Sequence, residues 1–328
     1  RSTIYSLMNG NLLSYDIEDG EVRTYDRLGE LSDGKIAHLA YSKEAGKLLI
    51  VYENSNVDLL DGDGNVINLS ALKDKRILGK EVSYVCVNGS MAYLATGFGV
   101  VEVDMKEGAF RNTYKLSYNI KCIAASDDKV CLGPTSGLMQ CSKSDNMQLE
   151  ENWTVKYSPT GFTDMCIFQD KLLAMKSDGI YALGLNDKSS FILSKGKFTF
   201  LKNTGEKQVW GNDTQIGYTT DASSVNNVVI IPIENNWTDI SYIGGTYWMS
   251  EQENGLRAYK LDGDTFSPTG AVIQPSSPIR DLGYRVTWVG NRLLVAGGIN
   301  TVDSYYNPAT AMYYENGEWT NFTEMEKI

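Results

Sequence analysis

The sequence predicts an all-β chain folded as a β-propeller of four-stranded antiparallel blades, with seven blades favoured and eight allowed. Three observations carry this. A short apolar pattern recurs about every 40 residues. Each copy sits inside a quartet of short extended runs. The joints between runs are rich in Asn-Gly and Asp-Gly, the dipeptides that supply the positive φ of tight hairpin turns.

The recurring pattern is a turn residue, an apolar residue, two variable positions, an apolar or aromatic residue and often Asp. Its copies are NLLSYD from Asn11, NVDLLD from Asn56, GVVEVD from Gly99, GLMQCS from Gly137, GIYALG from Gly179, GLRAYK from Gly255 and TAMYYE from Thr310. The first five start 45, 43, 38 and 42 residues apart; gaps of 76 and 55 follow. A weak copy, QIGYTT from Gln215, divides the long gap into 36 and 40. The ambiguous stretch is Asp164 to Thr238, and with it the choice between seven and eight.

Each copy is preceded by an apolar run such as KLLIVYEN, MAYLATG, KLLAMK or RLLVAGG. Before that lies another, such as IAHLAYS, VSYVCVNG, IKCIAAS or YRVTWVGN. A more polar run follows, such as EVRTYDR or FRNTYKL. Alternation within the runs marks strands, and no segment sustains a helical period. The first two runs of each quartet are the most apolar and are expected innermost, with the polar fourth at the rim. The first copy opens directly on TIYSLMN, which reads as a second strand, so its innermost strand is expected from elsewhere. The reading is one closed domain over residues 1–328.

The 328 residues carry 30 Lys and Arg against 41 Asp and Glu, a net charge of −11. That balance opposes nucleic acid, whose phosphates need a basic face, and anionic lipid surfaces. The longest apolar runs, LLIVY at Leu48 and VVIIPI at Val228, fall far below the ~20 residues of a membrane-spanning helix. The opening RSTIYSLMNG has no signal-peptide character. It reads either as a chain that had none or as a processed or excised piece.

The one histidine, His38, excludes His-rich metal sites and reads as a packed strand residue rather than a general base. The five cysteines, Cys86, Cys122, Cys131, Cys141 and Cys166, have no CxxC spacing. Three sit in matching contexts (YVCVN, IKCIAA, DMCIFQ) and read as small buried hydrophobes. Cys131 and Cys141 flank a turn, which leaves a cross-hairpin disulfide open. DGDGN at Asp61–Asn65 begins like a calcium loop but lacks the Gly and Glu an EF-hand needs, and reads as a hairpin turn. GFGV at Gly97 is no phosphate loop, and no GxSxG elbow or Ser-His-Asp set stands out. Sequons at Asn68, Asn88, Asn152, Asn212, Asn236 and Asn321 read as turn composition. Of the 35 aromatic residues, TYW at Thr246 and YRVTW at Tyr284 are the densest groups and read as core. The sequence therefore offers no catalytic residue, no cofactor and no metal site, and leaves the ligand-binding residues unknown.

Two stretches resemble a known family. YSLMNGNLLSYDIEDGEVRTY through VNGSMAYLATGFGVVEVDMKEGAFRNTYKL resembles the N-terminal β-propeller of PorZ-type proteins of Bacteroidetes. QPSSPIRDLGYRVTWVGNRLLVAGGINTVDSYYNPATAMYYENGEWTNFTE resembles the last units of the same domain. The matches cover about the first 116 and last 55 residues; between them only the generic repeat is visible. Two-component-regulator propellers share part of the pattern.

The resemblance implies an exported protein of the cell surface or periplasm of a Gram-negative bacterium, acting in type IX secretion with the sortase that attaches cargo to anionic lipopolysaccharide. It implies a longer protein with a second propeller and a small β-domain, of which this chain would be the first propeller. It carries over no ligand residue. The expected function is a non-enzymatic module binding a protein partner or a surface glycan. The alternative is a periplasmic sensor propeller of a hybrid two-component system that reads an oligosaccharide. A propeller-borne lyase or hydrolase would need convergent charged groups at the channel mouth.

Overall fold

The computed structural model describes all residues except 1, 9, 28, 159–160, 234–236, 252–254, 271, 280–282, 298–309, 317 and 323–328. It forms two compact units, Arg1–Ile273 and Gln274–Ile328. Among the described residues there are eight antiparallel sheets, seven four-stranded and the first three-stranded. That is the larger of the two counts the repeats allow. The weak copy at Gln215 is a genuine third strand, Gln215–Thr219. Among the described residues helix is confined to Ala71–Asp74 and two short 3-10 turns.

The larger unit holds seven sheets in chain order. Their first strands are Thr3–Met8, Ile36–Ser42, Val82–Asn88, Ile120–Ala125, Asp164–Phe168, Phe200–Asn203 and Trp237–Ile243. Each sheet is a simple meander, every strand hydrogen-bonded to the next in sequence. Successive sheets share an apolar cluster. Leu12 and Tyr25 of the first meet Leu48 and Ile50 of the second. Leu49 and Leu59 of the second meet Leu94 and Val101 of the third. The same holds for sheets three to seven. A last cluster joins Ile4 of the first sheet to Trp248, Leu256 and Ala258 of the seventh. The ring closes on its own beginning, so each sheet face is covered by a neighbour and only short edges remain.

Burial follows a different order from the one the composition suggests. In the second sheet Lys47–Tyr52 and Val57–Asp61 are almost wholly buried, whereas the first strand, Ile36–Ser42, is mixed. The third sheet repeats this with Val82–Asn88 half-buried and Met91–Thr96 and Gly99–Asp104 buried. The second and third strands lie in the middle of each sandwich of sheets. The first has one edge on a cavity too wide for side chains to fill. In the three-stranded first sheet it is Thr3–Met8 that takes the cavity-lining place. The innermost strand expected from elsewhere is thus not needed to complete the cavity wall.

The glycine that leads several copies of the pattern has a steric cause. Gly99 opens its strand at φ +134°, and a Cβ there would lie 1.9 Å from the Tyr114 carbonyl oxygen of the fourth strand. Such close backbone approach with positive φ excludes a side chain.

The smaller unit holds one sheet, Gly283–Val289, Arg292–Gly297, Thr310–Glu315 and Glu318–Phe322. Tyr247 and Trp248 are core, as expected, but Tyr284 and Trp288 are 47% and 65% exposed. The core reading of YRVTW is corrected: its strand is an edge strand with every residue exposed.

Candidate functional site: the central cavity

The first strands of all seven sheets in the larger unit line one central cavity of about 950 Å³. They run in the same sense, because neighbours bond start to start and end to end. His38 Nε2 lies 3.0 Å from the Val82 carbonyl, fixing the ring as a donor on that nitrogen, and Ser42 Oγ donates to the Gly89 carbonyl at 2.7 Å. The cavity therefore has two distinct ends.

The end where the strands begin carries the charge. Tyr84 of the third sheet donates its hydroxyl to Asp164 of the fifth. It reaches past the fourth sheet, whose inner strand lines the cavity only with the small side chains of Ala124 and Ala125. The other Asp164 oxygen accepts the Leu201 N–H of the sixth sheet at 3.3 Å. Lys202 follows and pairs with Asp239 of the seventh sheet at 3.1 Å, both side chains about half exposed to the cavity. Burial pushes the Asp164 carboxyl above the usual carboxylate range, against the Tyr84 hydrogen bond and the Lys202 charge. Burial also raises the Tyr84 hydroxyl, with Asp164 adding to it. Burial works against the charge of Lys202, but Asp239 overrides it and holds the ammonium above its ordinary value.

A recurring irregularity aims two of these side chains, Tyr84 and Asp239. The first strand has a register shift at its second residue in sheets two, three, four and seven. The residues just after it are His38, Tyr84, Cys122 and Asp239. Bulges bend a strand and redirect a side chain, and three of these four line the cavity. The other end of the cavity is aromatic. Tyr5 stacks on Tyr41 with centroids 6.3 Å apart, and Tyr242 packs on Tyr247 at 4.7 Å.

Two thiols face the cavity, Cys86 and Cys166, while Cys122 is fully buried. Cys166 donates to Gln208 Oε1 at 2.7 Å. Burial pushes Cys86 to about 11 and Cys166 well above the ordinary thiol value, so both stay protonated. All five cysteines are free. Cys131 sits opposite Gln140 and Cys141 opposite Val130, and the two sulfurs belong to different apolar clusters. They point to opposite faces of the sheet, which rules out the cross-hairpin disulfide.

The other motifs resolve as structure. The Asp61 carboxylate accepts the N–H groups of Asp63 and Asn65 at 2.9 Å each and closes a hairpin turn. Among the described residues no cluster of three or more His, Cys, Asp or Glu is arranged to hold a metal ion. The sequon amides of Asn68 and Asn212 are spent on Asp58 at 2.7 Å and on the Lys197 carbonyl at 2.7 Å; Asn236 lies outside the described residues. No described helix is long and apolar enough to cross a membrane.

A ring of seven sheets around a polar cavity with one charged and one aromatic end defines a β-propeller. More particularly, residues 4–154 match the family of PorZ N-terminal β-propeller domains of type IX secretion. The resemblance read from the sequence holds across that span. No curated protein sequence matches the chain. Among solved structures it is similar to PorZ, an essential surface component of the type IX secretion system of Porphyromonas gingivalis. Identity is 23% and the TM-score 0.79, over 98% of this chain and 43% of that one. It is also similar to the extracellular domain of the hybrid two-component system BT3049 of B. thetaiotaomicron, at 14% identity and TM-score 0.57, over 98% of this chain and 47% of that one. AztD of Citrobacter koseri matches at 11% identity and TM-score 0.58, over 98% and 93%. At these identities the likeness is one of fold. The chain spans less than half the length of PorZ.

Proposed function

We propose that the chain is a non-enzymatic binding module of a larger exported surface protein, acting in a type IX secretion apparatus by holding a protein partner or a surface glycan at its central cavity. The observation that carries this is the match of residues 4–154 to the PorZ propeller domain. The cavity chemistry supports binding rather than turnover. Asp164 is engaged at both oxygens, Lys202 is held charged by Asp239, and the two thiols are protonated. No nucleophile stands beside a base among these groups.

The test is replacement of the gene by Lys202→Ala/Asp239→Ala in the full-length protein. On this reading, cargo accumulates unattached while the variant folds and reaches the surface normally. Unchanged cargo processing and attachment, in this variant and in a gene deletion, would remove the secretion role.

A second reading, a sensor propeller, is favoured by the likeness to BT3049. The full gene separates the two: a transmembrane helix and a kinase downstream support the sensor, and a second propeller with a small β-domain supports the secretion module.

A further inference from the structure

The first sheet of the larger unit has three described strands where the other six have four. The repeat identifies which position differs. Asn11–Asp16 carries the pattern NLLSYD, whose counterpart in the second sheet, NVDLLD, is the third strand, Val57–Asp61. Thr3–Met8 then corresponds to Lys47–Tyr52, a second strand, and Val22–Tyr25 to Val66–Leu69, a fourth. The position that no described residue fills lies beside Thr3–Met8, on the cavity side.

The tertiary structure agrees on three counts. From the second sheet to the seventh, consecutive first strands approach one another, beginning with Ile36–Ser42 against Val82–Asn88 and ending with Phe200–Asn203 against Trp237–Ile243. Thr3–Met8 approaches neither Ile36–Ser42 nor Trp237–Ile243 to that extent. The cavity wall is therefore continuous but recessed at the first sheet. Outside the first sheet the cavity touches second strands at two residues, Leu48 of the second sheet and Ser250 of the seventh, and those two sheets flank the recess. The backbone supplies the third count. The Ser2 carbonyl accepts the Ile17 N–H at 2.9 Å. Alternation along the pair then turns the N–H and C=O groups of Thr3, Tyr5 and Leu7 away from Asn11–Asp16 and into the recess. Alternating donors and acceptors at strand spacing are matched by another extended backbone.

The topology says where that backbone comes from. Each four-stranded sheet is a meander whose first strand directly precedes its second across a short turn, as from Asn88 to Met91 and from Ile243 to Thr246. By the same rule the added strand directly precedes Ser2. The strands of Gln274–Ile328 do not supply it, since among the described residues they bond only to one another. We propose that an extended segment of the same polypeptide, leading into Ser2 from outside residues 1–328, lies antiparallel along Thr3–Met8 and forms part of the wall of the ligand cavity. Its side chains alternate between two surfaces. Leu39 and Leu48 of the second sheet take apolar residues, and Ser241 and Ser250 of the seventh take small polar ones. The strand narrows the cavity and adds its own side chains to those that meet a ligand. That consequence rests on the cavity reading above; the pairing does not.

The test uses the full-length protein. Hydrogen exchange read residue by residue should show the amides of Thr3, Tyr5 and Leu7 protected to within about tenfold of Ile4 and Ser6, which pair with Asn11–Asp16. Slow exchange at Ile4 and Ser6 with fast exchange at Thr3, Tyr5 and Leu7 would overturn the proposal. A photoreactive phenylalanine derivative in place of Leu7, which is 39% exposed and lines the cavity, should form an intramolecular adduct with a peptide from outside residues 1–328. An adduct with another protein or with a second copy, or none outside residues 1–328, overturns it as well. Failure of the cavity reading shows instead as normal cargo attachment in the Lys202/Asp239 variant, with protection and adduct unchanged.

Discussion

Closure of the ring rests on the seam with the fewest buried apolar residues among those described. Among the described residues the cluster between the second and third sheets contains ten buried apolar residues, whereas the one between the seventh and first contains four: Ile4, Trp248, Leu256 and Ala258. Trp248 is 6% exposed and packs on Tyr15 with ring centroids 5.3 Å apart. Truncating a buried Trp costs about 3–5 kcal/mol, because transfer energy is lost and the site collapses only partly. For a domain of this size each kcal/mol moves Tm by roughly 2–4 °C. Trp248→Ala should therefore lower Tm by about 6–20 °C. Trp288→Ala removes an indole that is 65% exposed and should move Tm by no more than about 2 °C. Differential scanning calorimetry on both variants decides it. With the ring open at the seam, limited proteolysis should also cut first near the seventh sheet. Equal small shifts in the two variants would refute closure through this seam.

Other predictions follow from the same contacts. Gly99→Ala forces a Cβ onto the Tyr114 carbonyl and should cost at least about 2 kcal/mol in urea unfolding, since it adds overlap to a positive φ. The thiols, raised by burial to about 11 at Cys86 and about 12 at Cys131, should resist a thiol reagent at pH 8 in the native protein. All five should react in denaturant, with no change in mass on reduction. The carboxyl of Asp164 is raised by burial, so its ionisation costs stability. That cost is absent below about pH 3.8 and grows as pH rises through the raised value. Asp164→Asn should therefore gain on the wild type between pH 4 and 7. Asp104 is the opposite case: the Glu107 N–H and, against burial, Arg111 hold its carboxyl below the ordinary 3.8. Its contribution is complete above that value and lost as pH falls through the lowered one. Asp104→Asn should be less stable at pH 7 and converge on the wild type in acid. Parallel pH profiles for the two variants would contradict both assignments.

The fold was legible because its information is local. The spaced copies from Asn11 to Thr310 mark one strand of each sheet, and the Asn-Gly and Asp-Gly joints fix the hairpins between neighbours in sequence. Even the weak copy at Gln215 was visible, though it breaks the pattern's leading turn residue and apolar spacing. Where the reading failed, the cause was non-local. Apolar composition marks the first and second strands alike, but only the ring decides that the first faces a cavity. The aromatics at Tyr284 and Trp288 have core spacing, and exposure is set by what packs on their sheet.

The charged end of the cavity escaped the sequence altogether. A signal for it existed in hindsight: IAH, VSY, IKC and WTD open their strands alike, with the redirected residue third. Nothing in that alignment pairs Tyr84 with Asp164, 80 residues away, or Lys202 with Asp239. Strand period and turn chemistry act over a few residues, so the chain alone dictated quartets of short strands and a repeating architecture. Which side chains meet across the hole depends on how many sheets close the ring and how their inner strands line up, and only the tertiary structure decided that.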